Sequence, residues 1–505
     1  MRKLPRTRAP PPPGGRLGLG PDVLERGLRL NNRLLAAPER TAVVFSRSLG
    51  YHQDRGPPSP LAGAAGPDGR QAYLCSSLRE EVRMSESCRI DIKPLRSRAD
   101  QPIDVLKISG LKPGGEVTVQ AETRDEGGRS WISRGILDGD ETGTIDLSRQ
   151  APKSGTFKAA DPSAILWSLR PEGNPDIPVP LFKKKTVAPL SIKISVVGEG
   201  KTLAEKNIER VFGSPDREII REPVAREGVT GILFYPAGGE RCPVVICLSG
   251  SGGGIDEPRA ALLAAHGYTV FALAYFGAGS LPKDLYEIPV EFFQKGLDWL
   301  EEQGAADPER VAVYGYSKGG ELALLLASLY PRIKAAAAFA GSSHVWQGLR
   351  FGRPGSSWSR RGNSLPYLPM KVPLTTVFKL MLGRAVAFRG SYERGFASVR
   401  DPEAAAIQVE KINGPVLLVA GTEDQVWPAA DFAERVAARL KENRQRYPLR
   451  YLKEEGAGHL VGLPYLPSAE VCRNLIFTSA DIESSTLAST RAWEALVDFL
   501  RESLR

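Results

Sequence analysis

Val311-Ala312-Val313-Tyr314-Gly315-Tyr316-Ser317-Lys318-Gly319-Gly320 passes from a β-prone apolar run straight into a serine set between glycines. A helical pattern follows from Glu321 to Tyr330. Strand, G-x-S-x-G and helix in direct succession form the context of a nucleophile elbow, a sharp turn that lifts a serine hydroxyl above the end of a sheet. The glycines belong there because strand and helix must approach closely. The five-residue pattern is weak by itself. Its flanking elements give it weight, and Ser317 reads as a nucleophile.

The surrounding sequence supports the sheet that such an elbow needs. Pro243-Val244-Val245-Ile246-Cys247-Leu248 is a continuous apolar run, as in a strand buried on both faces. Pro258 to His266 reads as helix, Tyr268 to Ala274 as strand, Val290 to Glu302 as amphipathic helix, and Ile333 to Phe339 as strand. Val416 to Ala420 and Leu449 to Lys453 are later strands, and Thr490 to Leu504 closes the chain as a helix. This alternation, beginning near Glu218, predicts a parallel sheet with right-handed crossovers. Residues 342–410 interrupt it with a long stretch rich in Arg, Gly, Pro and aromatics, which reads as a lid or binding cap.

Upstream, residues 84–213 carry an all-β pattern. Ile103 to Ile108 and Glu116 to Ala121 flank the turn Lys112-Pro113-Gly114-Gly115, and the second run alternates polar and apolar side chains. Thr144 to Leu147, Ile165 to Leu169 and Leu190 to Val197 read as further strands. Short strands at this spacing predict an immunoglobulin-like β-sandwich. Residues 1–83 differ again. Ala9-Pro10-Pro11-Pro12-Pro13-Gly14-Gly15 and Gly63-Ala64-Ala65-Gly66-Pro67 cannot contribute to a packed core, although Leu24 to Ala37 could form a short basic helix. The segment reads as disordered or absent from the mature protein. Either it is a transit-like leader or translation begins at Met84.

Charge and cysteine content narrow the function. The net charge is +9, but residues 1–83 hold 14 Arg/Lys against 7 Asp/Glu, a balance of +7, leaving +2 for the remainder. The basic character therefore does not argue for nucleic acid. The five cysteines, Cys75, Cys88, Cys242, Cys247 and Cys472, form no CxxC pair, so neither a disulfide framework nor a metal site is expected. Reduced thiols fit an intracellular protein, cytoplasmic unless imported into an organelle. No apolar run reaches the roughly 18 residues of a membrane span.

A nucleophilic serine needs a base, and the chain has four histidines. His52 lies in the low-complexity segment. His266, in Ala264-Ala265-His266-Gly267, reads as a helix end. His344 follows the strand after the elbow and is placed to line the site. His459, in Gly456-Ala457-Gly458-His459-Leu460, follows the last strand, where the order Ser…Asp…His requires the base. The acid should end a strand between them, and Val416 to Ala420 leads to Asp424, with Glu423 as its neighbouring competitor. Asp424 would orient the His459 imidazole, and His459 would take and return the serine proton. The Lys318 backbone N–H, at a helix start, would donate to the oxyanion. A second donor would come from Ser251 or Gly252 in Ser249-Gly250-Ser251-Gly252-Gly253-Gly254. That glycine-rich loop lacks the GK[ST] ending of a nucleotide cradle. No metal or redox cofactor is implied. The fold expected is an α/β-hydrolase preceded by the sandwich.

Taken together, Gly250 to Gly254, Arg259-Ala260-Ala261-Leu262-Leu263-Ala264, Ala272-Leu273-Ala274-Tyr275-Phe276 and Gly315-Tyr316-Ser317-Lys318-Gly319-Gly320-Glu321-Leu322 resemble the acyl-CoA thioesterase / bile acid-CoA:amino acid N-acyltransferase family. Leu281-Pro282-Lys283, Gly421-x-x-Asp424-x-x-Trp427 and Gly458-His459-Leu460-x-x-x-Pro464-Tyr465-x-Pro467 extend the resemblance, as do Ile165 to Leu169 and the Val117 strand in the sandwich. It covers roughly residues 88–505. It implies hydrolysis of fatty acyl-CoA, or acyl transfer to glycine or taurine, with the triad on Ser317, Asp424 and His459. Conjugating members use cysteine as nucleophile, so a serine implies water as acceptor. A dienelactone-hydrolase-like esterase or a peptidase is the competing reading. The insertion departs from the animal enzymes. Its Arg350, Arg353, Arg360, Arg361 and Lys371 are candidates for the CoA phosphates, because guanidinium groups bind phosphate through paired hydrogen bonds. The ending Glu502-Ser503-Leu504-Arg505 is not a peroxisomal address.

Overall fold

The computed structural model describes residues 87–172, 181–226, 228–350, 352–382, 384–459, 462–467 and 482–505. Residues 1–83, with the Leu24 to Ala37 helix, His52 and Cys75, lie outside the described residues, as do Met84 and Cys472. Ser87 to Arg505 form one compact unit.

The chain first builds two β-arrays, antiparallel except where Arg96–Arg98 runs parallel to Lys201–Val211. One has three strands, Arg89–Lys93, Val105–Ser109 and Ile145–Asp146. The other runs in the order Arg96–Arg98, Lys201–Val211, Leu190–Gly198, Glu116–Arg124, Ser130–Asp138, Ser154–Gly155, and Arg170–Pro171 also pairs with Ser130–Asp138. Period-two patterning sets the faces. Val117, Val119, Ala121 and Thr123 turn inward while the residues between them stay at least partly exposed. The expected strand over Ile165 to Leu169 is instead a one-turn helix, Ala164–Trp167, with all four residues buried. A short apolar run without alternation fits a buried helix as well as a strand. Asp161 decides for the helix: its Oδ1 accepts from the Ser163 N–H at 2.8 Å and turns the chain.

An eight-stranded sheet follows. Its strands, in chain order, are β1 (Ile219–Arg226), β2 (Val229–Pro236), β3 (Cys242–Leu248), β4 (Thr269–Ala274), β5 (Ala306–Tyr316), β6 (Ile333–Phe339), β7 (Val416–Gly421) and β8 (Leu449–Glu454). They lie in the spatial order β1-β2-β4-β3-β5-β6-β7-β8, parallel from β4 onward. The helices are α1 (Glu257–Ala265), α2 (Glu291–Glu301), α3 (Lys318–Leu329), α4 (Leu374–Met381), α5 (Arg389–Ala397), α6 (Ala429–Glu442) and α7 (Ile482–Ser503). This is the α/β-hydrolase arrangement. The insertion between β6 and β7 contains α4, α5 and a small hairpin, Trp358–Arg360 with Asn363–Ser364, that pairs with Ile288–Pro289.

The sandwich and the sheet share apolar packing. Buried side chains of the sandwich run on without a break to the sheet face covered by α1 and α7. One polar link crosses with them. Asp100, on the sandwich side, lies 2.6 Å from His266 Nε2 and accepts from Trp493 Nε1 at 2.9 Å. His266 does end α1, and its ring additionally makes this contact. Burial alone would raise the Asp100 carboxyl, but His266 and Arg98 overcome it and hold its pKa at about 2.

Candidate active site

Ser317 sits between β5 and α3 with φ 55 and ψ −124. A non-glycine residue there is strained by roughly 1–3 kcal/mol and persists only when its surroundings over-determine it. Several contacts hold it. The Ser317 N–H donates to Phe339 O on β6 at 2.8 Å, and the Gly320 and Glu321 N–H groups donate to Ser317 O at 2.9 and 3.0 Å. The glycines are a steric requirement. A Cβ on Gly319 would collide with the carbonyl oxygens of Ser249 and Leu248, and one on Gly315 with Gly319 O.

The two partners come from the ends of later strands. His459 follows β8, and its Nε2 lies 2.9 Å from Ser317 Oγ. Asp424 follows β7, and its Oδ2 lies 2.7 Å from His459 Nδ1. The other carboxylate oxygen accepts from the Val426 and Trp427 N–H groups at 2.8 and 3.2 Å, which fixes its rotamer. Asp424 is fully buried, whereas Glu423 is exposed and directs its own N–H to Ala457 O. The competition between the two is resolved by which one the imidazole meets. Trp427 packs edge-on to His459 and donates from Nε1 to Ala340 O at 2.9 Å.

Lys318 opens α3, so its N–H has no carbonyl one turn back. In the glycine-rich loop it is Gly250 that packs on the nucleophile: a Cβ there would lie 3.3 Å from Ser317 Cβ. Ser251 and Gly252 are exposed on the next step of the loop. A cavity of about 340 Å³ is lined by this loop, by Tyr316, by Leu181, Phe182 and Lys185 of the sandwich, and by Gly462 beyond His459.

The arginines do not gather at the triad. Arg350 and Arg353 both stack on Tyr286, at 5.4 and 5.3 Å, and Arg350 pairs with Asp284 at 3.7 Å. Arg360 and Arg361 lie at the tip of the insertion hairpin, where the Arg361 N–H donates to Glu291 Oε1 at 2.8 Å. Lys371 is exposed on the insertion. His344 does not line the site either. It faces a separate cavity of about 230 Å³ with Arg435, Arg439 and Glu403, and packs on Phe396. Burial, with Arg435 and Arg439, lowers its pKa to about 4.

One cluster escaped the sequence reading. The Lys318 side chain is buried, and its Nζ donates to Glu321 Oε2 and Ser357 Oγ, both at 2.9 Å. Glu321 is fully buried too, and its Oε1 accepts from Trp358 Nε1 at 2.8 Å and the Trp346 N–H at 3.3 Å. Burial lowers the Lys318 pKa and raises that of Glu321, each partner opposing the other's shift. Ser357, Trp358 and Trp346 belong to the insertion, so this pair ties the insertion to the base of α3. The available signal was the i, i+3 spacing of opposite charges on an otherwise apolar helix.

Cys242 and Cys247 are buried in β3, where burial raises both thiols, and Cys88 is half-buried. Among the described residues, no group of three or more His, Cys, Asp or Glu could hold a metal ion.

Known proteins resemble this chain over most of its described length. Residues 100–225 match the family model described as the acyl-CoA thioester hydrolase/BAAT N-terminal region, and residues 288–505 match the one for the BAAT/acyl-CoA thioester hydrolase C terminal. The chain belongs to the acyl-CoA thioesterase/BAAT family. Acyl-coenzyme A thioesterase 1 of Homo sapiens is 29% identical over 416 residues, covering 80% of this chain and 94% of that protein. The family member named peroxisomal succinyl-coenzyme A thioesterase of Mus musculus is 27% identical over 425 residues, covering 81% and 95%. Among solved structures, the Pyrococcus horikoshii acylaminoacyl peptidase matches with a TM-score of 0.38 at 14% identity, covering 76% of this chain and 55% of that one.

Proposed function

We propose that the chain hydrolyses fatty acyl-CoA thioesters, with Ser317 as nucleophile, His459 as general base and acid, and Asp424 as the orienting carboxylate. The observation that carries this reading is the 2.9 Å approach of His459 Nε2 to Ser317 Oγ, in a chain belonging to this family. Ser317 Oγ attacks the thioester carbonyl while its proton passes to His459 Nε2. The tetrahedral oxyanion is received by the Lys318 N–H and a second amide at Ser251 or Gly252. Collapse breaks the C–S bond, and His459 returns the proton to the departing CoA sulfur. Water then adds to the acyl-serine as His459 takes its proton. The fatty acid leaves as Ser317 recovers its hydrogen.

In this reading residues 84–213 are the sandwich domain, 214–505 the catalytic domain and 342–410 its cap. Arg350 and Arg353, side by side on Tyr286, with Arg360 and Arg361 further along the cap, are assigned to the CoA phosphates. The setting is intracellular, where the thiols of Cys88, Cys242 and Cys247 stay reduced. The test is a substrate panel read by thiol release. Acyl-CoAs of several chain lengths are compared with simple esters and peptides, with and without glycine. Release of CoA at the same rate regardless of glycine supports the reading. Turnover of esters but not CoA thioesters, or formation of acylglycine, refutes it.

A further inference from the structure

Helix α4 exposes an apolar face that nothing in the described structure covers. Leu374, Phe378, Met381 and the following Leu382 are 82%, 62%, 49% and 54% exposed. They are four of the nine large apolar side chains exposed among the described residues. At 3.6 residues per turn these positions fall within an arc of roughly 100°. No residue of α4 is buried. A hydrophobic stripe of this width on a short helix normally faces a core or a partner.

The charge around it identifies the partner. Residues 342–392 contain eight Lys or Arg and no Asp or Glu. Of these cations, Lys371 and Arg384 bracket α4 and Lys379 lies on it; all three are exposed and form no ion pair among the described residues. A protein core or a second copy of this basic cap would leave them facing each other or buried. An anionic lipid surface satisfies both features at once: the apolar stripe enters the headgroup boundary and the long cationic side chains reach the phosphates.

We infer that α4 docks the cap onto anionic lipid surfaces. The helix is close in sequence to the chemistry. Six and seven residues beyond Leu382, the Phe388 and Arg389 N–H groups donate to Gln425 O, next to Asp424, at 2.9 and 3.0 Å. The docking itself does not depend on the thioesterase reading. Its consequence does: an amphiphilic acyl-CoA held in a bilayer would meet the enzyme at the cap.

The full chain is sedimented with vesicles of phosphatidylcholine alone and of phosphatidylcholine mixed with phosphatidylglycerol. The wild type is expected to pellet with the mixed vesicles, and less so as salt rises. Leu374→Ser/Phe378→Ser and Lys379→Glu/Arg384→Glu should each weaken that partitioning about tenfold or more. These sites are exposed, so unchanged thermal unfolding is the control for folding. Hydrolysis of a short, freely soluble acyl-CoA should be unchanged in both variants, while hydrolysis of a long-chain acyl-CoA presented in mixed vesicles falls. Loss of vesicle binding without that fall supports docking and refutes only its link to turnover. Wild-type vesicle binding by the double-serine variant overturns the inference. So does a concentration-dependent dimer, lost in that variant, with no vesicle binding by the wild type.

Discussion

Replacing Lys318 by methionine isolates the buried pair beneath the nucleophile. Methionine keeps the stem of the side chain and removes the charge. It leaves Glu321 fully buried, with only Trp358 Nε1 and the Trp346 N–H as donors. A buried carboxylate stripped of its partner costs about 3–5 kcal/mol. The alternative is for Glu321 to take a proton. From an unfolded pKa near 4.3, that costs about 4 kcal/mol at pH 7 but only about 1 at pH 5. The sign follows from linkage. Above the unfolded pKa, the folded variant holds a proton that the unfolded chain has released, so its stability falls as pH rises. The wild type, with its charge pair intact, lacks this slope. Urea unfolding at pH 5 and pH 7 reads the difference, which should be about 3 kcal/mol larger at pH 7. Adding Glu321→Leu should restore most of the loss, because an apolar pair of similar size costs little in such a site. A penalty equal at both pH values, or a double variant no better than the single one, would refute this account.

Ser317→Ala and His459→Ala should each reduce acyl-CoA turnover by about 10⁴-fold or more, and the double variant should be no worse than either; additive losses by steady-state assay would separate the two residues. Gly319→Ala must move the Ser249 carbonyl, and a displacement approaching 1 Å should cost about 100-fold in kcat; wild-type kinetics would show that the elbow tolerates a methyl group. His344, with a pKa of about 4, refuses a proton that the unfolded chain accepts below about 6.5, so stability falls as pH drops from about 6.5 to about 4, by up to roughly 3 kcal/mol. His344→Leu should flatten that part of the unfolding profile. Asp100, held at about 2, contributes roughly 2 kcal/mol above about pH 4 that is lost as pH falls toward 2. Asp100→Asn should abolish that acid-limb slope, measured by urea midpoints.

Legibility in the sequence followed the range of the interactions. Outside the insertion the alternation from β3 to β7 is local, so its strands and helices could be placed to within a few residues, whereas α4 and α5 were not read. The positions of Ser317, Asp424 and His459 at strand ends follow from chain order, and the structure brings those three together. Contacts made by the insertion could not be read in the same way. His344 seemed placed for the site because it follows β6, yet the chain turns after Ser342 and buries the ring beside Phe396. Arg350 and Arg353 meet Tyr286, and the Arg361 N–H meets Glu291, contacts between segments far apart in sequence that charge alone does not reveal. Ile165 to Leu169 failed for a different reason: a short run buried on every side carries no period to read.

The strain at Ser317 explains why the missed cluster lies where it does. A backbone at φ 55 and ψ −124 relaxes unless it is held from several directions. β6 holds it through Phe339 O. The glycine-rich loop presses Gly250 against it, and Gly341 packs against Gly320 on the next turn. The remaining direction is along α3, toward the insertion. There Lys318 and Glu321 bind Ser357, Trp358 and the Trp346 backbone. Apolar side chains could fill that space, but they would not fix its orientation, since dispersion contacts have no preferred direction. Charge-assisted hydrogen bonds do. The residue whose N–H is assigned to the oxyanion is thereby held by its own side chain to the insertion. Under the proposed mechanism, a shift of Ser357 would pull on Lys318 and so on that amide, which would link the position of the insertion to oxyanion stabilisation.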